Sequence, residues 1–483
     1  MTKQAKGNNQ PPLKRTGRRL AFFREDIKPR IWLFFLAVLI QLVASAFSGA
    51  GYTLHGSVCW LVGMILWIIW FLLMFFIVTP QSDTLLQRFT GQLKWGAFTI
   101  FFILLIMGIG EVIILGVLAP WFLNNGIDNS ADKLVAQMKE GFRYNDGTAL
   151  SQQAAENLLE GKEPYTNANI VTALTKYNGA YDRLTPLQLG RFANAFPYPT
   201  TEQLKQVWDS ALQNPSQPPP EIVSSVCYPA GSFLLVVPFI AAGVKDIRIV
   251  YIIFVIAALV YATWKIHGRK RLLFIGVAVI SLELWNTLAT GETGILIFPL
   301  LLIAWITLGE NDWVSAIFMG LAVATKQTAW FFLPFYVILL WRTAGPKNIA
   351  SAIGIITAVF IATNGYFIAK APSLWLQSIT SPMVEPMFPL GVGVISLVTS
   401  GYVNIQTSLP FTIAEVIVLI GAVLWYLRYC KQYPDVGPIL AILPLFFAWR
   451  SIWTYFYYIP IIVLARMLSR DENNALTPTP SSR

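Results

Sequence analysis

Apolar segments alternate with short polar ones along almost the whole of this 483-residue chain. An α-helix needs about 20 predominantly apolar residues to cross the hydrocarbon core of a bilayer, and several segments approach or exceed that length. The pattern therefore predicts an all-α polytopic membrane protein. We expect about twelve spans, over residues 31–47, 57–78, 96–119, 247–264, 272–289, 293–308, 314–324, 328–341, 349–369, 411–427, 436–448 and 452–465.

Two further apolar segments, residues 228–242 and 390–398, are shorter than the length that a helix needs to cross a bilayer. The first also contains Pro229 and Pro238, which interrupt a helix. Irregular backbone is tolerated at membrane depth only where protein or water surrounds it. We therefore expect both segments to be re-entrant.

The longest polar region covers residues 120–226, and it is too rich in helical pattern to be a simple linker. Within it, residues 151–159 form an amphipathic pattern. Asp146 lies just upstream beside Gly147, so we expect its carboxylate on a flexible backbone, at the centre of any chemistry. Helices are predicted over residues 131–139, 151–159, 187–195 and 201–212.

The net charge of +10 is unevenly distributed. Residues 120–226 carry 8 Lys and Arg against 11 Asp and Glu, whereas residues 1–30 carry nine Lys and Arg and two acids. Because cytoplasmic loops are enriched in Lys and Arg, we place both termini and the basic loop 265–271 in the cytoplasm. The polar region then lies outside the plasma membrane, and nucleic-acid binding is not expected. The predicted parts are a cytoplasmic tail (1–30), three spans (31–119), the external helical subdomain (120–226), a second transmembrane region (227–468) and a cytoplasmic tail (469–483).

The chain is poor in the residues used by metal and nucleophile sites. Its three cysteines, Cys59, Cys227 and Cys430, are widely scattered, and His55 and His267 are the only histidines. A zinc site or a His-based nucleophile cannot be assembled from them. We expect no metal and no cofactor, although a divalent metal held by carboxylates stays open, and the chemistry should use carboxylates, Lys, Arg and Tyr.

Ionisable residues inside predicted spans or tight external turns all fall in the outer half of the membrane. A charge near the bilayer centre costs roughly 2.5–3.5 kcal/mol on insertion scales, so such residues usually face an internal cavity. Each of them could alternatively form an ordinary interhelical pair, but together they indicate a polar cavity opening outward. They are Glu111, Glu283, Glu292, Lys326, Glu415 and Arg450.

Four motifs occur in an order that resembles a known superfamily. Asp146 precedes AAENLLEG and Pro164-Tyr165, and three segments follow: CYPAGSFLLVVPF, TGETGILIFPLLLIAW and FMGLAVATKQTAWFFLPF. Between residues 146 and 334 this set resembles the GT-C superfamily of membrane glycosyltransferases, in particular the bacterial polyprenyl-phosphate-mannose-dependent mannosyltransferase-like branch. The resemblance implies a GT-C-like helical bundle with a large first extracytoplasmic loop.

The resemblance also implies a reaction and roles for individual residues. Such enzymes transfer a sugar from a polyprenyl-phosphate carrier to a glycan or lipid acceptor, with an external carboxylate as general base. Asp146 is the candidate base, with Asp128 in reserve, and Lys326 and Arg450 would face the carrier phosphate. Further substrate contacts are expected from Glu292, Tyr165, Tyr228, Trp449 and Tyr455.

Structural explanations compete with each of these roles. Asp146 could cap a helix, Lys326 could extend to the membrane interface and Arg450 could anchor a helix end. A secondary transporter or lipid flippase could use the same embedded charges, but the inverted repeats that would favour transport are not seen in the sequence. A non-catalytic homologue that serves as an assembly subunit is the third possibility.

Overall fold

A computed structural model describes residues 28–54, 57–90, 143–177, 179 and 181–470. Several predicted features lie outside these residues: both terminal tails, the span 96–119, the helix 131–139, Glu111 and Asp128. In the described part the protein is almost entirely helical. The α-helices are α1 (Pro29–Leu54), α2 (Ser57–Val78), α3 (Gln81–Thr90), α4 (Asp146–Leu159), α5 (Ile170–Lys176), α6 (Thr201–Gln213), α7 (Gly231–Leu234), α8 (Val237–Ala241), α9 (Ile247–Lys265), α10 (Lys270–Ile280), α11 (Leu282–Thr290), α12 (Ile297–Thr307), α13 (Asp312–Val323), α14 (Phe332–Ala344), α15 (Pro346–Lys370), α16 (Pro372–Val384), α17 (Ser396–Thr399), α18 (Leu409–Tyr429), α19 (Gly437–Ile442) and α20 (Ile459–Ser469).

Short 3-10 turns and one pair of very short strands complete the described elements. The strands β1 (Leu390–Gly391) and β2 (Arg450–Ser451) pair in parallel, with Leu390 opposite Arg450 and Gly391 opposite Ser451. The 3-10 turns are Tyr181–Arg183, Gly190–Phe192, Thr293–Leu296, Gln327–Phe331, Pro434–Val436, Pro444–Phe446 and Trp453–Tyr455.

Five described helices are long and apolar enough to cross a membrane, and a sixth span results if the bent pair α10 and α11 crosses as one. The five are α1, α2, α9, α15 and α18, which coincide with five predicted spans. The α10–α11 pair bends by 52° near Ser281. The structure thus confirms a helical protein with several apolar spans, while the count of about twelve stays a prediction.

Helices α1 and α2 form an antiparallel hairpin. At one end the Arg30 guanidinium pairs with Asp83 of α3, with Nε and Oδ2 3.0 Å apart. At the other end Tyr52 meets Tyr198 of the polar region edge-on, with ring centroids 5.6 Å apart. The tip of the hairpin therefore lies beside the polar region. Trp67 of α2 packs against Phe456 near the start of α20, which joins the hairpin to the core.

The predicted spans 436–448 and 452–465 are not continuous helices. Only α19 and α20 are α-helical there, and 3-10 turns and strand β2 lie between them. The chain is extended at Arg450 because β2 pairs with β1. In β1, Gly391 has φ of +134°, and a Cβ atom there would overlap the Ser451 carbonyl; one at Gly393 would overlap the Phe446 carbonyl. Only glycine fits this close approach.

In the polar region, two of the three predicted helices that fall on described residues are confirmed. Helix α4 begins five residues before the predicted start at residue 151, and α6 matches the prediction closely. The predicted helix 187–195 is wrong, because only the turn Gly190–Phe192 is helical. The Leu187 N–H donates to the Glu221 carbonyl at 2.8 Å and the Gln188 N–H to the Pro386 carbonyl at 2.8 Å, so distant segments take the hydrogen bonds a helix would use.

Segment 228–242 contains two short helices, α7 and α8, neither long enough to cross a bilayer. The segment is held from several sides. The Ala230 N–H donates to Asn364 Oδ1 of α15 at 2.7 Å, and the Gly231 N–H donates to the Ala324 carbonyl at 2.9 Å. Gln327 Nε2 also donates to the Cys227 carbonyl at 2.6 Å. Its re-entrant character, like that of residues 390–398, stays a prediction.

Candidate active site

Four charged side chains from separate parts of the chain share one site. They are Asp146 at the start of α4, Glu292 in the turn after α11, Lys326 in the break after α13 and Arg450 in β2. Asp146 lies within electrostatic reach of Arg450, Lys326 and Glu292, and Lys326 within reach of Glu292. Each residue lies where a helix begins, ends or is interrupted, so the fold gathers helix breaks at one end of the bundle.

Asp146 does not lie on the flexible backbone that its neighbour Gly147 led us to expect. It is the first residue of α4, and the side chain of Asn145 caps the helix by accepting from the Thr148 N–H at 2.8 Å. Gly147 is buried, and a Cβ atom added there would lie 3.0 Å from Tyr228 Oη and 3.2 Å from the Thr293 methyl group. Gly147 is therefore explained by close packing, which fixes the position of Asp146.

The environment of Asp146 changes its acidity. Burial raises the pKa of the carboxyl above its usual value, because the charged form loses water. The hydrogen bond from the Gly147 N–H, the neighbouring Thr185 and the charge of Arg450 act in the opposite direction. A carboxylate held by donors yet made more basic by burial can accept a proton from a substrate hydroxyl.

Glu292 and Lys326 lie near each other in the site. Gly291 takes the left-handed conformation (φ +72°) that ends α11 and turns the chain into Glu292, which lies beside Asn145. Burial raises the pKa of Glu292, while Asn145 and Lys326 act to lower it. Lys326 Nζ donates to Thr293 Oγ1 at 2.8 Å. The lysine is only 8% exposed, so its side chain is enclosed by protein.

Arg450 enters the site from a fixed backbone. Strand pairing holds its main chain, and its guanidinium donates to the Phe388 carbonyl at 3.4 Å. Its charge acts on Asp146 and also on Tyr198 and Tyr455. Arg450 thus lies in an extended segment rather than at the end of a helix, and its role as a site cation stays a prediction.

The remaining predicted contacts have different surroundings. The Tyr228 ring lies under Lys326, with Nζ 5.0 Å from its centroid. The buried Tyr165 hydroxyl donates to the Tyr228 carbonyl at 3.0 Å, so this residue supports the site. The indole N–H of Trp449 also has a partner within the protein, because it donates to the Met387 carbonyl at 2.8 Å. Tyr455 lies within electrostatic reach of Arg450.

Only part of the predicted set of intramembrane charges meets at this site. Glu283 has a different neighbour, Ser45 of α1. The charge of Glu415, on α18, acts on Tyr455. Three of the six predicted groups, Glu292, Lys326 and Arg450, therefore lie around Asp146, and Glu111 lies outside the described residues.

A polar network outside the site fixes α4 against α9. The Tyr144 hydroxyl donates to Asp246 Oδ1 at 2.6 Å and lies 2.7 Å from Gln152 Oε1. Arg248 forms an ion pair with Asp246 at 2.6 Å, stacks 4.5 Å from the Tyr144 ring centroid and donates to the Ala289 carbonyl at 2.9 Å. Since Ala289 precedes the turn to Glu292, this network aligns the two acidic segments.

Several residues around the site were not anticipated. Asn145 could have been found as a helix cap immediately before Asp146. Thr185, Thr293 and Tyr198 carried no local signal, because their positions depend on contacts between distant segments. Among the described residues, no group of three or more His, Cys, Asp or Glu is placed to hold a metal ion.

Comparison with known proteins identifies the class of the protein. Residues 227–450, slightly less than half of the chain, match glycosyltransferase family 87. This similarity supports a membrane glycosyltransferase of the GT-C type. The match contains Glu292, Lys326 and Arg450 but not Asp146. Searches of the curated proteins and of the solved structures found no match.

Proposed function

We propose that this chain transfers a sugar, with mannose as the first candidate, from a polyprenyl-phosphate carrier to a glycan or lipid acceptor outside the plasma membrane. The observation that carries the proposal is that one carboxylate, Asp146, lies near two cations, Lys326 and Arg450, in a partly buried polar site. Two of the three belong to the segment similar to a glycosyltransferase family.

In the proposed reaction, the acceptor hydroxyl oxygen attacks the anomeric carbon of the carrier-linked sugar from the face opposite the phosphate. The bond between the anomeric carbon and the phosphate oxygen breaks, and its electron pair leaves with the polyprenyl phosphate. The hydroxyl proton passes to Asp146, and the configuration of the sugar inverts. A positioned general base typically contributes about 10²- to 10⁴-fold to such a rate.

Lys326 and Arg450 would stabilise the negative charge that develops on the departing phosphate. Cations are most effective when they are held in place in a site that excludes water. Thr293 holds the Lys326 ammonium at 2.8 Å, and strand pairing holds the Arg450 backbone. Glu292 faces Lys326 and Asn145, so its proposed role is to position the lysine and the start of α4.

The direction of helix α9 supports an extracytoplasmic site. The helix begins beside Tyr144, next to the site, and ends at Lys265, the first residue of the basic loop 265–271. Lys265 pairs with Glu310 at 2.6 Å at that far end. Because basic loops favour the cytoplasm, the opposite end of the bundle faces outward under this proposal.

The proposal is tested with the full-length protein in proteoliposomes. Synthetic polyprenyl-phosphate mannose, glucose and galactose are supplied with a lipid and glycan extract as acceptor source, and released polyprenyl phosphate is measured by mass spectrometry. Release from at least one donor, together with a newly glycosylated product, is expected. If every donor remains intact, the enzymatic proposal is wrong, and a transporter or a non-catalytic homologue becomes the better explanation.

A further inference from the structure

A cleft of about 730 Å³ lies between three parts of the chain. One wall is the tip of the α1–α2 hairpin, with Tyr52 and Trp60. The second wall comes from residues 181–204 of the polar region, and the third from residues 389–401. The cleft is large enough for a few sugar rings, since ligand pockets commonly have volumes of about 300–1,000 Å³.

The cleft lies beside the charged site. Tyr198, on its second wall, is close enough to Arg450 and Asp146 for both charges to act on its hydroxyl. Leu390, on its third wall, pairs directly with Arg450 in the two-stranded sheet. A molecule in the cleft could therefore extend a hydroxyl group toward Asp146.

The chemistry of the lining fits a neutral saccharide. The Tyr52 and Tyr198 rings meet edge-on at an interplanar angle of 76°, and Tyr181 and Trp60 add further aromatic surface. Aromatic faces bind the apolar faces of sugars, and a few polar groups fix the orientation of a ligand. Its charged lining residues, Arg143 and Asp182, have opposite signs, which does not favour a phosphate or another anion.

We propose that this cleft binds the saccharide part of the acceptor and that the α1–α2 hairpin selects which saccharide enters. The inference rests on the proposed function, because it names the acceptor class of that reaction. Two of the three walls, the hairpin and residues 181–204, lie outside the segment similar to glycosyltransferase family 87. Acceptor choice would thus depend on parts of the chain that this similarity does not cover.

The test measures binding of the purified, fluorescently labelled full-length protein to a printed array of hexose, pentose, deoxyhexose and amino-sugar oligosaccharides. Tyr52→Ala and Tyr198→Ala remove stacking surface, so affinity for the bound oligosaccharides should fall about three- to tenfold. Tyr52 is 38% exposed, and its truncation should leave the fold intact. Tyr366→Ala is the matched control, because Tyr366 is 63% exposed and does not line the cleft.

The Asp146→Asn protein separates this inference from the proposed function. It should bind the same oligosaccharides as the wild type, since binding does not require proton transfer. Loss of saccharide binding in the Tyr52 and Tyr198 variants, with the Tyr366 control unchanged, supports the inference even if no sugar is transferred. An array with no bound saccharide, or equal binding by all variants, overturns it, while donor turnover in proteoliposomes would still support the proposed function.

Discussion

Replacing Asp146 by Asn gives the sharpest test of the mechanism. Asn has nearly the same shape, and its side-chain oxygen can still accept from the Gly147 N–H, which lies 2.7 Å from Oδ1 in the wild type. It cannot take up the acceptor proton. Transfer should therefore slow by about 10²- to 10⁴-fold, which corresponds to about 2.7–5.4 kcal/mol of transition-state stabilisation.

Stability should change little in the same variant. The substitution removes the attraction between the carboxylate and Arg450, but it also removes the cost of keeping a charge away from water, and burial already raises the pKa of this group. The thermal midpoint of unfolding should therefore not fall appreciably. Donor binding should be retained, so single-turnover release of polyprenyl phosphate separates the chemical step from binding.

The direction in which the transfer rate changes with pH gives a second test of Asp146 as the general base. The general base must be deprotonated, so the wild-type rate should fall on acidification through the pKa of Asp146. Because burial raises that pKa, the fall should begin at a higher pH than an exposed aspartate would give. The residual rate of the Asp146→Asn enzyme should not show this decline.

Asp128→Asn is the control, because Asp128 is the other candidate base. It should retain most of the transfer activity. Near wild-type turnover by Asp146→Asn, with activity abolished in Asp128→Asn, would move the role to Asp128. If neither substitution slows transfer, the chain acts without either residue as base, and the proposed mechanism is refuted.

Three further predictions address the cations, the packing and the orientation. Lys326→Gln or Arg450→Gln should weaken binding of a polyprenyl-phosphate sugar about tenfold or more, because a charged hydrogen bond contributes about 1.5–3 kcal/mol; unchanged dissociation constants in folded variants would contradict this. Gly147→Ala should reduce the turnover number about tenfold, since the new methyl group displaces Asp146 from its packing, whereas wild-type kinetics would show that the position tolerates a shift. In a cysteine-free variant, a cysteine at Ser373 should react with an impermeant maleimide in intact cells and one at Lys431 should not; the reverse labelling would invert the topology.

Long helices were predictable from the sequence, whereas broken ones were not. Helices α1, α2, α9, α15 and α18 follow directly from apolar length, which acts locally. The interruptions between α19 and α20 depend on the pairing of β2 with β1, which lies about sixty residues earlier in the chain. Apolar composition is a local property and does not indicate that pairing. The predicted helix 187–195 failed for the same reason, since Leu187 bonds to a distant segment.

The sequence predicted which residues belong to the candidate site better than it predicted their structural surroundings. Lys326 and Arg450 were selected as charges interrupting apolar segments, and Asp146 as an acid beside a glycine in the polar region. The structure brings the three to one place. Asp146 was expected on a flexible backbone because Gly147 usually implies conformational freedom. Glycine is instead needed because there is little room for a side chain beside Tyr228, and only the tertiary contacts reveal this. The catalytic and binding roles of these residues stay predictions.

The tight fit at Gly391 and Gly393 has a practical consequence for redesign of the acceptor cleft. No side chain can be added at either glycine without moving the chain away from the Ser451 or the Phe446 carbonyl, so the backbone of this wall can hardly shift at these two positions. The hairpin tip carries the partly exposed Tyr52, whose side chain can be exchanged without disturbing a core. Libraries intended to change the acceptor should therefore vary the hairpin tip and keep Gly391 and Gly393 unchanged.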